Sequence, residues 1–185
     1  MFFFIRSKVI KQTSENNRSV PWFWVSFSLI IAGFVSVIVS GPVPEYLEKI
    51  GIPENEVVPW VEEGAKLICA GIVILGLVDW GRKDMFQILF FGGLIVGLVF
   101  GFLETLASER YLSNFFLRLR TSIPDHALWT AITTAALWFP VRKYQKYKLL
   151  SLAPVLVVYF ITVIWHYVWN TGKFLKSSSG FQYPC

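Results

Sequence analysis

Runs of mostly apolar residues, roughly 17 to 24 long, alternate along the chain with short clusters of charge. They cover Pro21 to Ser40, Trp60 to Asp79, Met85 to Leu106, Pro124 to Pro140, and Leu149 to Trp169. About 20 apolar residues cross a hydrocarbon core of ~30 Å as a helix, so each run predicts a transmembrane helix. None alternates polar and apolar positions, which argues against a β-barrel. The pattern predicts an all-α, polytopic membrane helical bundle of about five transmembrane helices over residues 21–170. A cytoplasmic or interfacial segment, residues 1–20, precedes it, and a short tail, residues 171–185, follows.

Composition points the same way, since 55% hydrophobic against 16% charged residues exceeds what a soluble core of 185 residues needs. The first run is longer and more evenly apolar than a cleaved leader and reads as a retained anchor. Ahead of it, Phe2 to Ile10, with Arg6, Lys8 and Lys11, suits a segment lying at the lipid surface and equally a frayed terminus. Loop charge sets the orientation. One side collects Arg6, Lys8, Lys11 and Arg18, then Arg82 and Lys83, then Arg142, Lys143, Lys146 and Lys148. The other holds Lys49, then Arg110, Arg118 and Arg120, then Lys173 and Lys176. Ten against six places the N-terminus in the cytoplasm and the C-terminus outside. The net charge of +5 is thereby assigned to orientation and to the lipid bilayer, and no nucleic-acid partner is expected. Cys69 and Cys185 are too few for a disulfide framework, and Cys69 reads as a small core residue.

The informative positions are those that interrupt the apolar runs: Glu62, Glu63, Lys66, Glu104, His126, His166 and Asn170. A charge at mid-membrane costs at least ~2.5 kcal/mol, which makes such residues functional candidates. Taken singly, they also read as interfacial residues or interhelical glue. The deduced topology brings them to one level, because the second and fourth runs begin on the outer side and the third and fifth end there. On this reading Glu62 and Glu63 sit in the first turn of their helix. Spacing of four predicts shared faces for Glu62 with Lys66, His126 with Thr130, and His166 with Asn170. Gly93, Gly97 and Gly101 recur every four residues, which predicts close helix packing, and Glu104 projects from the same face.

Two imidazoles with several carboxylates form a ligand set that suits Zn²⁺, with a spare Glu as general base for hydrolysis. The H-E-x-x-H helix of common zinc proteases is absent. Four separated motifs resemble the PrsW family of intramembrane proteases, which is similar in its core motifs to the type II CAAX prenyl endopeptidases. Glu62-Glu63-Gly64-Ala65-Lys66 resembles E-E-x-x-K; Gly101-Phe102-Leu103-Glu104 resembles the second motif. His126-Ala127-Leu128-Trp129-Thr130, preceded by Arg118 and Arg120, resembles the third, and His166 through Asn170 the H-x-x-x-N motif. The chain departs from the family at Ser108, where a Tyr is usual, and at Thr134 and Ala135, where glycines are usual.

The resemblance implies an integral membrane protease of a prokaryotic plasma membrane, cutting a single-span membrane protein such as an anti-sigma factor near the outer leaflet. It implies Glu62 and Glu63 as water activators, with Glu104, His126, His166 and Asn170 completing the centre, and Lys66 and Thr130 in support. Glu63, Glu104, His126 and His166 are the metal ligands it suggests. Zn²⁺ is the implied metal, beside a metal-independent route in which Glu and His position water directly. The alternative is a non-catalytic membrane protein, an inactive relative or a binding or transport protein, that uses the same residues as glue. A catalytic centre requires the groups to converge on one point, whereas glue predicts separate pairs.

Overall fold

The fold follows from what lipid forbids: a backbone in hydrocarbon must satisfy its own hydrogen bonds, and uniformly apolar runs do so as helices. A computed structural model describes residues 20–107 and 115–171. The expectations for Phe2 to Ile10, Ser108, Lys173, Lys176 and Cys185 fall outside these residues. The described elements are α1 (Trp22–Ser40), α2 (Pro42–Lys49), α3 (Glu54–Leu77), α4 (Met85–Ala107), α5 (Phe115–Arg120), α6 (Ser122–Ala136), α7 (Trp138–Tyr147), a 3₁₀ turn (Lys148–Leu152) and α8 (Ala153–Asn170). No strand occurs among the described residues.

Among the described residues, three helices are long and apolar enough by themselves to cross a membrane: the stretch Trp22–Lys49, Met85–Ala107, and Leu149–Asn170. The other two expected spans differ for identifiable reasons. Helix α3 has 24 residues but carries Glu62, Glu63 and Lys66 within its apolar stretch. It also begins at Glu54, ahead of the expected Trp60, so the two glutamates sit well inside the helix rather than in its first turn. Helix α6 has 15 residues, about 22 Å of rise, and breaks at Leu137 before the amphipathic α7. Between α2 and α3 the chain turns through Gly51 at φ 89°, a conformation that favours glycine, and Pro53 then precedes the first turn of α3.

Helix α3 stands at the centre, packed by α1, α4, α6 and α8, while α4 and α6 share the most extensive interface. The main apolar core joins Val25 and Leu29 of α1, Ala70 and Ile74 of α3, and Met85, Leu89 and Val96 of α4, with Cys69 packed against it. The outward faces are as apolar as this core: Phe23, Ile38 and Ile72 are each more than 65% exposed. Such a surface needs lipid as its solvent. The basic loops expected on one side do meet, since the Arg142 guanidinium donates to the Arg82 carbonyl. Arg82 also lies 5.2 Å from the Trp22 ring and pairs with Asp84, holding that carboxyl below its usual range.

Candidate functional site

The polar centre is built where α3, α4, α6 and α8 meet at the other end of the bundle. Its geometry begins with glycine. A Cβ on Gly97 would collide with the His126 carbonyl and lie 2.7 Å from the Ala127 Cα, and one on Gly93 would lie 2.6 Å from the Thr130 carbonyl. Only hydrogen at these positions lets α4 close on the backbone of α6. That approach carries Glu104, one turn beyond Gly101, to the imidazole of His126 near the start of α6.

From there a continuous chain of polar contacts crosses five helices. Arg118 of α5 donates to Glu104 Oε2 at 2.7 Å and to Thr105 Oγ1 at 3.0 Å. The same Glu104 oxygen lies 3.0 Å from His126 Nε2. The other imidazole nitrogen, Nδ1, is 3.0 Å from Lys66 Nζ, which donates to Glu63 Oε1 at 2.6 Å. Glu63 Oε1 is in turn 2.9 Å from His166 Nδ1, and His166 Nε2 faces Glu62 Oε2 at 3.8 Å. Lys66 and Glu63 are 0% and 1% exposed, and a charge so deeply buried persists only when it is paired. Aromatic rings close the space around them. Lys66 Nζ lies 4.6 Å from the Phe100 centroid, and Trp129 packs on His166 with ring centroids 5.0 Å apart.

The partners fix the imidazole protons. Lys66 has only donors, so His126 Nδ1 accepts and Nε2–H donates to Glu104. Glu63 is the acceptor for His166 Nδ1–H, which leaves the His166 Nε2 lone pair facing Glu62. Two buried carboxylate oxygens, Glu62 Oε2 and Glu63 Oε2, make no hydrogen bond among the described residues. Glu62 and Glu104 are also close enough to repel. A buried orphan oxygen beside a free imidazole lone pair and a second carboxylate is an arrangement that a cation would satisfy.

Ligand atoms of Glu62, His126 and His166 all lie within 4.8 Å of one another. The donor set fits a divalent metal, with the His166–Glu63 bond of the kind that orients a metal-binding imidazole. His126 would have to turn a lone pair toward it, because both its nitrogens are engaged by Lys66 and Glu104.

The expected residues therefore assemble, with specific differences in contact. Lys66 pairs with Glu63 at i,i+3, not with Glu62 at i,i+4. Glu62 is the carboxylate grouped with the two imidazoles, while Glu63 Oε1 serves Lys66 and His166. The Thr130 hydroxyl bonds the His126 carbonyl of its own helix at 2.8 Å rather than an imidazole. Asn170 is half-buried, one turn beyond His166 at the end of α8. Arg118 is the member that motif reading noted only as a flank; it reaches Glu104 from a different helix, 14 positions further along the chain.

A family model described as PrsW family intramembrane metalloprotease matches residues 19–183. Comparison with curated proteins and with solved structures gives no match.

Proposed function

Because the chain belongs to the PrsW family of intramembrane metalloproteases, we propose that it hydrolyses a peptide bond of a single-span membrane protein near the outer leaflet, from the polar centre of α3, α4, α6 and α8. The observation that carries this reading is the convergence of Glu62, His126 and His166 on one point beside two unpartnered carboxylate oxygens. In this reading Glu62, His126 and His166 would hold Zn²⁺, which would supply an activated water and a Lewis acid for the scissile carbonyl. Glu63 fixes the His166 ring by accepting from Nδ1. Glu104 takes the proton of the attacking water and returns it to the leaving amine, held in aim by Arg118. Lys66 neutralises Glu63 and positions His126. Thr130 steadies the turn of α6 that begins at His126 by bonding its carbonyl, and Asn170 lies one turn beyond His166. The substrate class suits an anti-sigma factor, and the location a prokaryotic plasma membrane.

The continuous chain of contacts also favours a second reading, in which the same groups only bind five helices together. Cleavage decides between them. Single-span membrane proteins, anti-sigma factors among them, are co-expressed with the wild type and with Glu62→Gln, Glu104→Gln and His166→Ala at matched abundance. Loss of a cut in all three variants is expected. So is loss on treatment of purified protein with a chelator, with recovery on adding Zn²⁺. Cleavage that persists in the variants overturns the assigned centre. Cleavage indifferent to the chelator removes the metal and leaves Glu and His acting on water directly.

A further inference from the structure

Trp129 belongs both to the polar centre and to a groove on the outer surface of the bundle. The ring of Trp129 touches His166 on one side, and on the other it forms part of a lipid-facing groove between α6 and α8 of about 330 Å³. The α6 wall consists of Asp125, Leu128, Trp129 and Ile132. The α8 wall consists of Val158, Ile161, Thr162 and Trp165. Each wall repeats at i, i+3, i+4 and i+7, so the groove has two parallel helical ridges, the shape into which a third helix packs. Its floor is pinned by the Thr133 hydroxyl donating to Thr162 Oγ1 at 3.3 Å. Leu128, Ile132, Ile161 and Trp165 are between 41% and 58% exposed, so this surface is uncovered.

Asp125 is the one charged residue in that lining. It lies at the end of the groove nearest the centre, half-buried, where His166 acts on it electrostatically but forms no ion pair with it. Its place in the first turn of α6 lets the helix dipole tolerate the charge, but supplies no counter-ion. An acyl chain would leave this carboxylate as it is. A helix with a basic residue at that level would pair with it, the long stem lying along the apolar wall.

We propose that the α6–α8 groove receives the transmembrane helix of the substrate, and that Asp125 selects helices carrying Lys or Arg at the flank on the side of the polar centre. This rests on the proteolytic reading for its purpose, though not for its test. By the loop-charge orientation that flank is the outer one. Basic residues concentrate on the cytoplasmic flank of membrane proteins, so an outer one distinguishes few helices from many.

The test uses the full chain in membranes with a photo-crosslinking residue at Ile132, or at Ile38 on the far lipid-facing side of α1. It is co-expressed with model single-span helices of one apolar core bearing Lys, Gln or Glu at the outer flank. From Ile132, about five-fold more crosslinking to the Lys helix than to the Glu helix is expected, the ratio that one partly exposed ion pair supports. Asp125→Asn removes that preference and Asp125→Lys inverts it. If the Lys and Glu helices crosslink equally, if Ile38 crosslinks as well as Ile132, or if Ile132 captures only lipid, the proposal is overturned. Crosslinking is read in the Glu62→Gln background as well. A charge preference there without any cleavage by the wild type would sink the proteolytic reading alone, and cleavage without charge preference would sink the docking site alone.

Discussion

Replacing Lys66 by Met removes a cation while keeping an unbranched side chain against Phe100. The wild-type ammonium is fully buried and serves two acceptors, Glu63 Oε1 at 2.6 Å and His126 Nδ1 at 3.0 Å. At an effective dielectric of about 20, a unit-charge pair at that separation is worth roughly 6 kcal/mol before desolvation. The stranded carboxylate need not bear the whole loss, because it can take up a proton instead. From an ordinary Glu pKa of about 4.3, protonation at pH 7 costs about 3.7 kcal/mol, which sets the ceiling for this part of the loss. Breaking one side of a buried pair costs about 3 to 5 kcal/mol in other proteins, in the same range. Lys66→Met is therefore expected to lose about 4 kcal/mol, lowering the unfolding midpoint in detergent by about 8 to 16 °C for a chain of this size. Far-UV circular dichroism during heating reads the shift. Glu63→Gln combined with Lys66→Met leaves no buried charge in the pair, and His166 keeps an acceptor, so the double variant should recover most of the loss. If Lys66→Met melts within 2 °C of the wild type (about the shift 1 kcal/mol gives), or if the two substitutions add, the charge balance drawn here is refuted.

Other substitutions follow from the same geometry. Gly97→Val places side-chain atoms against the α6 backbone and is expected to cost about 3 kcal/mol or more, read as lost thermal stability and reduced accumulation in the membrane. Gly76→Ala meets nothing within 4 Å and should instead stabilise α3 by about 0.5 to 1 kcal/mol; equal effects at the two positions would contradict the packing. Arg118→Gln keeps the fold but loosens Glu104, so cleavage of a substrate should fall about 10- to 100-fold with the melting temperature little changed. A fall in stability that matches the fall in activity would make Arg118 a structural residue instead.

Apolar length made the helices legible, because lipid leaves the backbone little choice. The α4 run and the start and end of α1 lie within a residue or two of the expected limits. The Gly93, Gly97 and Gly101 face was legible for a related reason: a side chain reduced to hydrogen every fourth residue has few uses in a transmembrane helix besides close contact. Periodicity also grouped the ionisable residues, since four of the helices share an end. It could not say which atom meets which. Lys66 is within reach of Glu62 and Glu63 alike from its own helix, and the choice of Glu63 depends on His126 arriving from α6 and His166 from α8. The break of α6 at Leu137 likewise lies within an apolar run that reads as continuous.

What the sequence by itself determined is the solvent, the helices and the stock of charges brought to one end, all properties that act residue by residue or along one helix. The tertiary structure alone decided how those charges are shared: Glu63 to Lys66 and His166, Glu104 to Arg118 and His126, and Glu62 left with an unpartnered oxygen beside a free lone pair. The reason is that hydrogen bonds of 2.6 to 3.0 Å between residues as far as 103 positions apart depend on helix rotation and separation to within about an ångström. Those quantities are set by packing across helices, for which the order of residues along any one of them carries no direct signal.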